Sequence, residues 1–269
     1  MKLLKKINET FNKEFKNGVV NNRQELIDYC NKYWCKDVSI STCRGYLQYI
    51  NMYLADKKID YKLNTSDFNT RDTRQGMMSE KEVMSYIDIL ENEQDKFIVY
   101  ALFKGISGKE VEELRTLKVS QVDFENKKII LSDREVEMDD MMIKLIDDAI
   151  KQDEYNLIKF SEGAMVQSFK FNMDSEYIIK NRPTKTNGMG LESIKYDSFR
   201  KRLKTISQYI DNNITVDTLL KSGYAYIVYK EYGKNATYSK VEKIIKEKNM
   251  KVSVRVLLNT YKNIYVEVM

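Results

Sequence analysis

Arg44 and Gln48 stand one helical turn apart. Both are of the types that read base edges in a major groove, arginine on guanine and glutamine on adenine. FRKRLK, residues 199–204, sets Arg200, Lys201, Arg202 and Lys204 close together, a density that suits contact with backbone phosphates. Lys185 in KNRPTKTNG, and Arg71 and Arg74 in NTSDFNTRDTRQG, add cations in turn-forming segments. Each group has a plain alternative as a solvated helix face or polar loop. Residues equipped for covalent chemistry are scarcer. The chain has 269 residues and no histidine, which removes Ser-His-Asp and Cys-His nucleophile systems and imidazole metal sites. Cys30, Cys35 and Cys43 fit no zinc spacing and are expected as reduced thiols in a small helical core. No cofactor and no metal are implied.

The elements that must position these residues follow from periodicity and caps. Residues 1–68 read as short amphipathic helices: Asn22 with Glu25 forms a start signal, and Leu26, Ile27, Tyr33 and Trp34 give an apolar side. SISTCRGYLQYINMYL follows, with Tyr46, Leu47, Ile50, Tyr53 and Leu54 at helical spacing and Arg44 and Gln48 on another face. Residues 69–76 fall in a stretch rich in turn formers and are expected to be a linker. From 77 to 269 a second domain opens on the capping box Ser79 and Glu82, followed by FIVYALF, apolar all round as in a buried helix. KVSQVDFENKKIIL and REVEMD alternate around turn residues and predict a small antiparallel sheet. Later helices are DDMMIKLIDDAI, a segment with the stripe Phe199, Leu203, Ile206 and Ile210, TVDTLLKSGYAYIVYKEYG, and SKVEKIIKEKN capped by Ser239 and Glu242. The fold class is therefore mainly α with a small antiparallel β-sheet.

Charge alone decides little, since 45 basic and 40 acidic residues leave a formal net charge of +5. No run of about 18 apolar residues appears, and MKLLKKINETFNKEF turns polar before a signal-peptide core could form, so a cytoplasmic protein with no membrane partner is expected.

GKEVEELRTLKVSQVDFENKKIIL resembles the segment of tyrosine recombinases (phage integrases) that reads roughly G-L-R-I-S-E-L-L-A-L before a turn and an aspartate. SISTCRGYLQYI and SEKEVMSYIDIL resemble two further segments of that family. The resemblance spans nearly the whole chain and implies a two-domain architecture, a helical core-binding domain followed by an α/β catalytic-like domain.

It also implies where cleavage chemistry would sit, and those positions are degenerate. The family cuts DNA with a tyrosine nucleophile while arginines, a histidine-type residue and a hairpin lysine neutralise the phosphate. Its first arginine falls on Glu110, its histidine on Asp217 and its second arginine on Leu220; the nucleophile's place is nearest Tyr261, with Tyr265 next. The hairpin turn holds Ser132, Asp133 and Arg134, with Lys127 and Lys128 nearby. An arginine-to-glutamate exchange at about 4 Å from a phosphate turns attraction into repulsion, on the order of 4 kcal/mol each at an effective dielectric near 20. Glu110 has a bland reading too, as the acidic partner of a capping box begun by Ser107.

An integrase-like body with the segment G-I-x-G-K-E-x-x-E-L, residues 105–114, in place of the arginine box resembles the MrpR-type lytic-cycle repressors of SPβ-like temperate phages, which would bind double-stranded DNA without cutting it. That resemblance implies operator binding in the host bacterial cell and maintenance of lysogeny, with a phage- or host-encoded protein modulator as an open second partner. Two alternatives remain at this point: a recombinase with rearranged chemistry, and an accessory protein that binds a recombinase. Sequence leaves the oligomeric state, the operator and the inducing signal open.

Overall fold

The computed structural model describes residues 2–15, 18–36, 40–68, 76–157 and 167–266. The chain divides into two compact units, Met1–Gln75 and Gly76–Met269.

The first unit contains α1 (Lys2–Glu14), α2 (Arg23–Cys30), which runs on through a π-helical turn at Asn31–Cys35, and α3 (Ile40–Asp56). Asn22 caps α2 by accepting from the Glu25 amide at 3.1 Å, while the Glu25 carboxylate reaches one residue further back, to the Asn21 amide at 3.0 Å. The core joins Ile7 and Phe11 of α1, Leu26, Tyr29 and Cys30 of α2, and Cys43, Leu47, Ile50 and Leu54 of α3. Trp34 is buried with them, whereas Ile27 and Tyr33 are partly buried. All three cysteines are free and buried.

In the second unit, α4 (Glu80–Ile89) starts on the Ser79–Glu82 capping box, with both reciprocal bonds made. α5 (Glu93–Phe103) is buried at every residue from Phe97 to Phe103. Burial of each large apolar side chain stabilises by about 1.5–3 kcal/mol relative to exposure, so a helix apolar all round belongs in the centre. It packs against α4, α7 (Asp140–Lys151) and α9 (Val216–Tyr232). The approach of α9 is set by Gly223: a Cβ there would lie 1.7 Å from the Phe103 carbonyl oxygen, so only glycine allows this crossing.

Between α5 and α7 lie α6 (Glu112–Arg115) and a three-stranded antiparallel sheet, β1 (Val122–Asp123), β2 (Lys128–Ile130) and β3 (Glu135–Glu137). Ile129 pairs with Val122 and Val136, and turns its side chain into the core at 0% exposure. A second antiparallel pair, β4 (Glu154–Leu157) with β5 (Gln167–Lys170), follows α7 and was not expected from the sequence. The remaining helices are α8 (Tyr196–Tyr209), α10 (Tyr238–Glu247) and α11 (Val254–Tyr265). α10 begins after Thr237, so Ser239 lies inside the first turn and is not its cap. The end of α9 with α10 and α11 encloses a separate apolar cluster around Val228, Val241, Leu257 and Tyr261.

Candidate nucleic-acid interface

α3 turns Cys43, Leu47, Ile50 and Leu54 inward, and the 3.6-residue period therefore sends Arg44 and Gln48 outward, where both are exposed. Two residues not singled out in the sequence share this exposed side. Met52 is 56% exposed and Tyr49 40%. The spacing Arg44, Gln48, Met52 is the signal that could have found the methionine. From Cys43 to Ala55 the only charged residue of α3 is Arg44.

α8 buries Phe199, Leu203 and Ile206 and exposes Arg200, Lys201 and Lys204. Arg202 is a correction to the expected phosphate-binding set. Its guanidinium turns inward, with Nε 2.5 Å from Oδ1 of Asp95, Nη1 donating to Gln94 Oε1 at 3.2 Å, and the group lying 4.5 Å from the centre of the Tyr155 ring. Asp95 is fully buried and also accepts from the Tyr155 hydroxyl at 2.9 Å. Burial works against the charge of Arg202, yet Asp95 and Tyr155 together outweigh it and hold its pKa above the ordinary value. Burial pushes the Tyr155 hydroxyl up as well. Arg202 is thus a core ion pair, and the surface cations of α8 are three.

The loop 180–188 divides in the same way. Lys185 is exposed at the start of a short 3-10 segment. Lys180 points inward and donates to the carbonyls of Ala149 at 3.1 Å, Ile150 at 2.5 Å and Gln152 at 3.3 Å, satisfying the open end of α7. Burial pulls its pKa down to about 8, partly offset by Asp153. Arg71 and Arg74 lie outside the described residues.

The positions matching the recombinase chemistry are also placed. Glu110 is exposed on a tight turn in which it and Val111 both take left-handed backbone angles, φ 53° and 59°. Such angles are unfavourable for a β-branched residue and persist only where the surroundings enforce them. Arg115 does so by donating to the Glu110 carbonyl at 3.0 Å and the Ile194 carbonyl at 2.8 Å. The capping reading of Glu110 is corrected: Glu113 accepts from the Ser107 amide at 2.9 Å. Glu113 further takes both forks of Arg134, at 2.7 and 2.8 Å, while Arg134 also donates to the Gly105 carbonyl. The hairpin cation is thereby neutralised in place. Asp217 is exposed and pairs with Lys221 one turn on at 2.5 Å, and Leu220 is half-buried.

Tyr261 is completely buried; its hydroxyl donates to the Gly233 carbonyl at 2.6 Å and accepts from the Ala236 amide at 3.4 Å. Tyr265 stacks on Tyr229 with ring centres 4.4 Å apart and accepts from the Glu80 amide at 3.3 Å. Burial pushes its pKa up to about 12. Among the described residues, no cluster of three or more Cys, Asp or Glu is arranged to hold a metal ion. No described helix is long and apolar enough to cross a membrane.

Fold and motifs together define a mainly helical protein with small antiparallel sheets, of the build that its resemblance to integrases implied. The chain belongs to the family described as "MrpR, C-terminal catalytic domain", whose model matches residues 77–266. Among solved structures it is similar to the XerA recombinase, with a TM-score of 0.46 and 13% identity over 97% of this chain and 85% of that one. It is also similar to the Tn1549 transposon integrase in complex with circular intermediate DNA, with a TM-score of 0.44 and 12% identity over 96% of this chain and 87% of that one. No curated protein sequence matches the chain.

Proposed function

We propose that this chain is a sequence-specific repressor that binds double-stranded DNA on an integrase-like scaffold and does not cut it. The observation that carries the reading is the contrast between its tyrosines and its cations. The Tyr261 hydroxyl is spent on backbone groups inside a core, while Arg44, Gln48, Arg200, Lys201, Lys204 and Lys185 stand in solvent. A nucleophile must reach the scissile phosphate with cations poised around it, and Glu110, Asp217 and Leu220 supply none. What remains suits positioning on phosphates and reading of base edges. In this reading residues 1–68 form the base-reading domain, 69–76 the linker, and 77–269 a domain of recombinase descent that grips the backbone. The family resemblance favours phage lytic promoters as the targets, in the cytoplasm of a lysogenic host.

The test is selection of bound sequences from a pool of random duplexes, followed by incubation with supercoiled plasmid and with a nicked suicide duplex. Enrichment of one motif, with the plasmid unrelaxed and no covalent adduct, is the expected result. No enrichment removes the DNA-reading role, and an adduct through Tyr261 or Tyr265 returns the protein to the recombinases.

A further inference from the structure

We infer that Gly45 is a contact residue of the DNA-reading face, kept without a side chain so that duplex DNA can approach the backbone of α3. This rests on the reading of α3 as the base-reading helix. Gly45 is the sixth residue of a 17-residue helix. An interior glycine disfavours a helix relative to every residue except proline, so it calls for a reason. Three reasons internal to a protein are common, and none applies among the described residues. Its φ is not in the left-handed region, unlike those of Gly18, Gly105 or Gly188. It is not at a helix end, where a glycine would serve as a cap. Among the described residues, a Cβ built on it would meet nothing within 4 Å. Gly223 gives the contrast, with the Phe103 carbonyl where its side chain would be.

What surrounds Gly45 points to the occupant. Arg44 precedes it, and Gln48, Tyr49 and Met52 lie exposed beyond it along the same helix. The face carries one cation and no carboxylate until Asp56 at its end, so a polyanion meets no repulsion along it. Arginine and glutamine supply forked donors for purine edges, and the exposed methionine and tyrosine offer apolar surface for thymine methyl groups. A helix seated in a major groove brings its backbone close to the groove wall wherever a side chain is missing.

The experiment compares the full chain with Gly45→Ala, using the duplex enriched by the parent from the random pool and an unrelated duplex. Alanine should raise the melting temperature by about 2–6 °C, since it favours the helix and meets no neighbour. It should also weaken binding to the enriched duplex by about ten-fold or more, as a methyl group intruding on a close-packed contact does. Higher stability with lower affinity is a combination that a structural defect cannot produce. Equal affinity of parent and variant sinks the inference while leaving the DNA-binding role standing, and a lowered melting temperature shows that the glycine serves the fold. If the parent enriches no duplex, the underlying reading fails with it. If Gly45→Ala changes sedimentation of the free protein and not DNA affinity, a second copy of the chain occupies the face and the inference is overturned.

Discussion

Arg202 and Arg44 invite comparison because the sequence treats them in opposite ways. Arg202 sits in the densest run of cations in the chain, and Arg44 is the lone cation of a helix rich in tyrosine. The structure reverses the expectation that density confers: Arg202 is locked to Asp95 in the core, and Arg44 is exposed at the surface. Counting cations locates charge without revealing what already neutralises it. The helical period is the better guide. Arg202 follows Phe199 by three residues and precedes Ile206 by four, so it shares the edge of the apolar stripe, whereas Arg200, Lys201 and Lys204 are further round. Lys180 and Lys185 repeat the lesson within one loop.

The sharpest way to break the comparison is Arg202→Ala. It leaves the Asp95 carboxylate buried with its principal cation gone, and removal of one partner from a buried pair costs about 3–5 kcal/mol. The urea midpoint should fall accordingly. A loss of DNA affinity with an unchanged midpoint would mean that Arg202 works at the surface after all.

Lys180 tests the same distinction through pH. Its folded pKa is depressed to about 8 from an ordinary 10.5, so between those values the unfolded chain holds the proton that the folded chain has released. Stability contributed by this group therefore rises with pH across that window, with a limiting slope of about 1.4 kcal/mol per pH unit. Below about pH 8 both states are protonated and the slope from this lysine vanishes. Lys180→Met should remove this component of the pH dependence, and Lys185→Met should leave it intact. Identical pH profiles for the parent and Lys180→Met would place the ammonium in solvent.

Local signals made much of the fold legible. The Ser79–Glu82 box, the apolar run of α5, the alternation around β1 to β3 and the stripe of α8 all rest on residues close in sequence. What escaped depends on distant or competing partners. The Arg202–Asp95 pair joins residues 107 apart, and β4 pairs with β5 across a stretch with no tight-turn signal. Glu110 and Glu113 are both close to Ser107 in sequence, but the chain turns left-handed at Glu110 and Val111, and the Ser107 amide donates to Glu113. Burial of Tyr261 was readable in principle, since it follows the buried Leu257 by one helical turn.

At the surface, the comparison sharpens into two kinds of contact. Arg44→Ala should cost on the order of 1–3 kcal/mol on the enriched duplex and little on an unrelated one, as loss of a base-edge contact does. Lys201→Ala and Lys204→Ala should weaken both duplexes alike, and each should lower the salt dependence of binding by roughly 0.9 in log–log slope. Parallel losses on both duplexes for Arg44→Ala would move base reading off α3, and an unchanged salt slope for both lysine variants would turn the α8 face to solvent.

The smallest effect is expected where integrase-like proteins would show the largest. Tyr261→Phe deletes a hydroxyl that donates to the Gly233 carbonyl inside the cluster of α9, α10 and α11. Loss of such a bond costs about 0.5–1.5 kcal/mol, somewhat more if the carbonyl is left without a donor. The ring still fills the same volume, so packing is retained and the melting temperature should drop by a few degrees at most. DNA affinity should not change, because the hydroxyl faces the protein interior. Glu110→Arg made in the parent should likewise confer no cleavage, since Asp217 and Leu220 still provide no second clamp and Tyr261 stays buried. Denaturing gels of both variants on the nicked suicide duplex decide the matter: a protein–DNA adduct in the parent that vanishes in Tyr261→Phe would mean that α11 opens to present this tyrosine, and that burial in the free protein is only its resting state.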